Sequence, residues 1–278
     1  MTFRRLIALL LLLGLPVVAQ SADIPRTSAG KPDMNGIWQT MSEANWSLEM
    51  QPATHAPMLR DGPEGPLAAI DVLKLGAVIA VPPSPGFIKG GGSIPYSDAA
   101  QERRQELRED WVNQDPEVKC YMPGVPRATY MPYPFQIFQN PTSFFIAYQF
   151  AGAVRDIYLN DPGEAPVDSW MGWSHGTWEE DTFVVKVTAQ VDGTWLDRTG
   201  THHSAMMTVT ERYSMMGPNH IQYEATIEDP DVLTGPFTIE MPLYRRVEPH
   251  LQLLEFKCVE FVEELIYGEF RRNPLERP

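Results

Sequence analysis

From residue 135 onward, apolar and polar side chains alternate with a period of two, as strands with one buried face require. Phe144, Ile146, Tyr148 and Phe150 alternate with Ser143, Phe145, Ala147 and Gln149, and Ala151-Gly152-Ala153 then turns the chain into residues 154–159. Phe183, Val185 and Val187 share one face, opposite Val184, Lys186 and Thr188. Ala205, Met207 and Val209 repeat the pattern, as do Ile221, Tyr223, Ala225 and Ile227, and then Phe237, Ile239, Met241 and Leu243. Residues 251–260 read as one more strand and 261–270 as a short closing helix.

The front of the chain is different. Prolines at 57, 63, 66, 82, 83, 85 and 95 and the run Gly90-Gly91-Gly92 break up residues 23–96, where only 67–80 looks regular. Ser97-Asp98 can cap a helix near 97–112 that carries Ala99, Ala100, Leu107 and Trp111. A proline- and tyrosine-rich connection follows up to Pro134. The predicted organisation is a signal peptide over 1–22, a loop-rich segment over 23–134 that wraps the core, and a barrel core over 135–278. The fold class is mostly β: an antiparallel meander of about eight strands, closed as a lipocalin- or calycin-like barrel because closure removes exposed edges. A β-sandwich is the alternative. No βα alternation supports a doubly wound sheet.

Residues 1–22 read as a secretory signal. Arg4 and Arg5 precede the apolar run Leu6 to Leu15, with small residues at Ala19 and Ala22 as cleavage positions. The apolar stretch is shorter than the roughly 20 residues a spanning helix needs, and nothing later is long and apolar enough to span a membrane. A periplasmic or secreted protein is therefore expected. In an oxidising compartment the two cysteines, Cys120 and Cys258, are expected to form one disulfide. The formal charge of −14 becomes −16 when Arg4 and Arg5 are removed, which argues against a nucleic-acid partner.

Candidate chemistry concentrates in 168–204, which holds four of the seven tryptophans and three of the six histidines. The chain resembles a family of exported bacterial proteins of uncharacterised activity. The shared elements are Pro32-Asp33-Met34-Asn35-Gly36-Ile37-Trp38, Gly172 to Thr182, Trp195 to Ser204, and Glu211-Arg212. Glu180 stands where the family usually has glycine and His175 where arginine is common. The resemblance implies the compartment and the region of interest, and no reaction.

Gly172-Trp173-Ser174-His175-Gly176 matches the G-x-S-x-G pattern, with Asp181 or Asp197 and then His203 following in hydrolase order. A nucleophile elbow needs a strand before the serine and a helix after it, whereas Asn160–Asp168 is polar and Thr182–Thr188 strand-like. The adjacent His202 and His203 point to opposite faces of a strand and cannot readily chelate one ion, so no metal and no cofactor is expected. If Met207 and Val209 point inward, so do His203 and Glu211, while His202 and Arg212 point out. Glu211 is expected to pair with a nearby cation.

The reading favoured by these patterns is an aromatic- and Met-lined pocket for a small apolar or aromatic molecule. Trp170, Trp173, Trp178, Trp195, Met207 and Tyr223 would wall it. In a catalytic version His203 is the acid–base and Asp197 its orienting carboxylate, in isomerase or lyase chemistry. A non-catalytic carrier and a serine hydrolase using Ser174, with His175 beside it, are the alternatives.

Overall fold

A computed structural model describes residues 23–54 and 80–267. The signal segment 1–22 and all but the last residue of the regular stretch expected over 67–80 lie outside the described residues. In chain order the strands are β1 (Gly36–Thr40), β2 (Met50–Gln51), β3 (Ser84–Pro85), β4 (Phe135–Gln139), β5 (Phe144–Tyr148), β6 (Val154–Tyr158), β7 (Trp173–Glu179), β8 (Thr182–Thr188), β9 (Thr208–Gly217), β10 (His220–Glu228) and β11 (Phe237–Arg245). The helices are α1 (Asp98–Glu109), α2 (Trp111–Gln114), α3 (Arg127–Tyr130) and α4 (Val262–Tyr267). The expected cap holds: Ser97 Oγ accepts from the backbone N–H of Ala100 at 3.3 Å.

Nine strands close into a barrel in the order β1-β11-β10-β9-β8-β7-β6-β5-β4, and β4 pairs back onto β1. The barrel is thus the expected mostly-β architecture, with two corrections. The meander is not wholly antiparallel, because β6 and β7 run parallel through the pairs Ile157↔Ser174 and Tyr158↔His175. Parity requires this: a closed ring contains an even number of antiparallel neighbours, so nine strands need at least one parallel pair. The reversing connection is the polar loop 159–172. The second correction is that 251–260 forms no strand. β1, from the element Pro32 to Trp38, closes the ring instead, pairing with both β4 and β11.

Alternate residues of every strand fill the barrel. Trp38, Phe135, Phe183, Val185, Tyr213, Tyr223, Ile239 and Leu243 are completely buried, and Phe144 stacks on Phe183 with ring centroids 4.2 Å apart. Barrels of about this strand number have an interior just wide enough for side chains. The interior here is packed. The buried stretch 123–131 packs into the same core through Val125, Ala128 and Tyr130, and the Tyr130 hydroxyl donates to the carbonyl of Leu196 at 2.7 Å.

Cys120 and Cys258 are joined by a disulfide, with Cα atoms 5.8 Å apart. The bond fastens the irregular segment after β11 to the turn 116–119. Phe256 of that segment packs against Tyr133 and Phe150. No helix among the described residues is long and apolar enough to cross a membrane.

Candidate functional site

Two features of the barrel explain the G-x-S-x-G run without an elbow. Gly172 has φ +68°, and a Cβ there would lie 2.7 Å from Val187 Cγ1 and 2.9 Å from the carbonyl oxygen of Thr188. At Gly176 a Cβ would lie 2.5 Å from Phe183 Cζ. Both glycines therefore answer to close packing. Ser174, between them on β7, points into the core and accepts from Arg155 Nε at 2.8 Å. His175 points the other way, as neighbours on a strand must.

Arg155 anchors a polar network inside an otherwise apolar barrel. Its Nη2 is ion-paired with Glu211, whose other oxygen accepts from the hydroxyls of Tyr213 at 2.9 Å and Tyr223 at 2.8 Å. Arg155 and Glu211 are both essentially without solvent contact, and burial pushes Tyr213 and Tyr223 well above the usual tyrosine range. Arg155 Nη1 and the hydroxyls of Tyr148 and Thr129 are buried without a hydrogen-bond partner among the described residues.

The His203–Asp197 pair is not brought together by hydrogen bonds. His203 Nε2 lies 2.5 Å from Thr194 Oγ1 and its Nδ1 is 2.9 Å from the carbonyl of Ser204. Burial lowers its pKa, which keeps the ring neutral near pH 7. Asp197 is fully buried and accepts from the backbone N–H of Leu48 at 2.8 Å and from the N–H and hydroxyl of Thr199. It acts as a loop clasp.

The tryptophans do not converge on one space. Trp173 sits on the outer wall against Tyr158, with centroids 4.6 Å apart, while Trp178 lies against Phe183 with Lys31 above it. Trp170 packs on Tyr121 at 4.9 Å. Trp195, Met207 and Tyr223 are buried, so a ligand that touches Met207 or Tyr223 has to displace packed side chains.

An open cavity of about 230 Å³ lies instead where residues 198–199 meet Trp46 and the α1–α2 junction. Trp46, Trp111, Val112, Arg108 and Arg198 wall it, with the hydroxyl-bearing Thr54 and Thr199. The Arg198 guanidinium lies over both indoles, 4.4 Å from the Trp46 ring centroid and 5.2 Å from that of Trp111. Trp46 and Trp111 meet edge to face at 5.3 Å.

Behind this wall a buried ion network fixes Arg198. Glu117 accepts from Arg198 Nε at 2.9 Å and Nη2 at 3.0 Å. Arg127 grips Asp115 with two bonds of 2.8 Å, reaches Glu117 at 2.9 Å, and donates from Nε to Asn45 at 2.7 Å. Burial alone would raise the Glu117 carboxyl, but Arg198 and Arg127 outweigh it and hold the group at about 2. Burial alone would likewise depress Arg127, and Asp115 and Glu117 reverse that. Glu117, Arg127 and Arg198 therefore stay charged at neutral pH.

The spacing of Ala100, Leu107 and Trp111 puts Trp111 on the inner side of a helix, and Arg198 lies in the segment 168–204 where candidate chemistry concentrates, so half of the site is legible in the sequence. Trp46 carried no periodic signal, because residues 41–49 form bends and turns. Among the described residues, no three His, Cys, Asp or Glu side chains are grouped to hold a metal ion.

In comparisons with known proteins, no family model, no curated protein and no solved structure matches this chain.

Proposed function

We propose that the chain is an exported β-barrel protein that binds a small aromatic molecule in the cavity walled by Trp46, Trp111 and Arg198. The observation that carries this reading is an open cavity bordered by the half-buried Trp46, with Trp111, only 6% exposed, packed edge to face behind it and an ion-paired guanidinium lying over both indoles. A π-face and a cation already in place cost little reorganisation when a flat ring enters. The volume suits a single substituted ring. The disulfide and the n-, h- and cleavage-region pattern of residues 1–22 support export. Binding is favoured over proton transfer by His203, because both ring nitrogens already face protein oxygens.

Burying about 150 Å² of ring at roughly 25 cal/mol per Å² gives about 4 kcal/mol, or a Kd near 1 mM for an unadorned ring. Calorimetric titration with phenol, indole and cyclohexanol tests the reading. Phenol and indole are expected to bind with Kd at or below the millimolar range, cyclohexanol at least several-fold more weakly, and Trp46→Ala to lose the aromatic preference. Equal affinity for cyclohexanol and phenol, or full affinity in Trp46→Ala, refutes it.

A further inference from the structure

The aromatic cavity does not end at Trp111. On α1, Gln101, Arg104, Gln105, Arg108 and Glu109 recur at i, i+3, i+4, i+7 and i+8, which places them on one side of the helix. With Glu49 these five wall a second cavity of about 500 Å³. Arg108 and Glu109 line both cavities, so the two adjoin along the last turn of the helix. Ala100, Arg104 and Leu107 are buried against the protein, so Gln101, Gln105, Arg108 and Glu109 form the exposed part of the stripe with Arg104 at its inner edge.

The chemistry of this groove is specific. Arg104 is only 4% exposed; it is paired with Glu49 at 2.9 Å and with Thr199 Oγ1 at 2.8 Å. Its Nε is buried without a partner among the described residues. Two arginines face two carboxylates, Glu49 and Glu109, so the lining is balanced in charge and disfavours a strongly anionic or cationic occupant. Gln101 and Gln105 are exposed one turn apart, and each amide offers donors and an acceptor together. Groups that both donate and accept, as hydroxyls do, match such amides. The stripe from 101 to 109 is about 12 Å long at 1.5 Å per residue, enough for one or two sugar rings.

We infer that the ligand is an aromatic ring joined to an uncharged polyhydroxyl tail, of the aryl-glycoside class. The ring occupies the Trp46–Trp111 cavity and the tail runs along α1 past Gln105 and Gln101. This inference rests on the aromatic-binding reading given above.

The test titrates the intact oxidised protein with phenol, phenyl glucoside and phenyl phosphate. Phenyl glucoside is expected to bind at least 10-fold more tightly than phenol, and phenyl phosphate to gain less than 3-fold. Gln101→Ala/Gln105→Ala, both on the solvent-facing stripe, is expected to bring phenyl glucoside to within 3-fold of phenol while phenol itself is unchanged. If phenol binds and phenyl glucoside binds no more tightly, or phenyl phosphate gains as much, the tail subsite is refuted and the aromatic reading stands. If phenol shows no binding at all, the aromatic reading falls and this inference falls with it.

Discussion

Replacing Arg155 by methionine removes the one cation bonded to Glu211 among the described residues. The side chain is 2% exposed and Glu211 has no solvent contact, so the stranded carboxylate cannot be rescued by water. Breaking a buried pair in this way typically costs about 3–5 kcal/mol. The hydroxyls of Tyr213 and Tyr223 remain, at 2.9 and 2.8 Å, and soften the loss towards the lower end. Ser174 also loses its bond from Nε, a further term of about 1 kcal/mol. The sum, about 4 kcal/mol, corresponds to a fall in melting temperature of roughly 8–16 °C for a chain of this size. Urea unfolding followed by tryptophan fluorescence measures it directly. The same experiment on Arg155→Met/Glu211→Leu separates the stranded charge from the other losses, because removing both ions leaves buried hydroxyls but no unpaired charge. The double variant still strands the hydroxyls of Ser174, Tyr213 and Tyr223 but no charge, and is expected to recover at least about 1 kcal/mol over the single variant. A single-variant loss below 1 kcal/mol, or a double variant as unstable as the single, refutes the view that these two charges balance each other in the core.

Three further outcomes are expected. Glu117, held at about 2 against an unfolded value near 4.3, contributes stability that is complete above the unfolded value and lost as pH falls from about 4.5 to 2; the loss is about 3 kcal/mol and should vanish in Glu117→Gln. The lowered pKa of His203 has the matching sign: the unfolded chain takes up its proton first, so stability declines as pH drops below about 6.5, and His203→Gln should flatten that limb in unfolding curves at pH 7, 6 and 5. Reducing the bond between Cys120 and Cys258, 138 residues apart, should cost about 5 kcal/mol in the chain-entropy model, read as a melting shift of at least 10 °C between oxidised and reduced protein.

The sequence made the second half of the barrel readable because each strand there has one wet and one dry face. Phe183, Tyr213, Tyr223, Ile239 and Leu243 lie inside as period two requires, and the same parity turned Glu211 inward and Arg212 out. The pairing of Cys120 with Cys258 followed from having only two cysteines. Other features depend on what lies across space. Gly36–Thr40 is too short to show alternation, and only its ladders to Phe135 and Arg245 make it a strand. Arg155 breaks the binary pattern in Val154–Tyr158, and its partner Glu211 sits 56 positions away. The site is legible only in part for the same reason: Trp46, Trp111 and Arg198 come from a turn, a helix and a loop that no local pattern links. Residues 251–260 misled through composition, since Leu251, Leu253 and Phe256 are half-buried under a disulfide and not paired in a sheet.

The place of β1 in the ring has a consequence for how the chain reaches this state. Its first strand is made early, yet one of its two partners is β11, the last strand to emerge in synthesis from the amino end. Until Trp38 meets Arg245, the sheet from β4 to β11 has two open edges able to pair with other chains. A nascent chain therefore cannot finish its barrel piecemeal, and a chaperone that shields those edges until the final strand arrives would raise the yield of native protein.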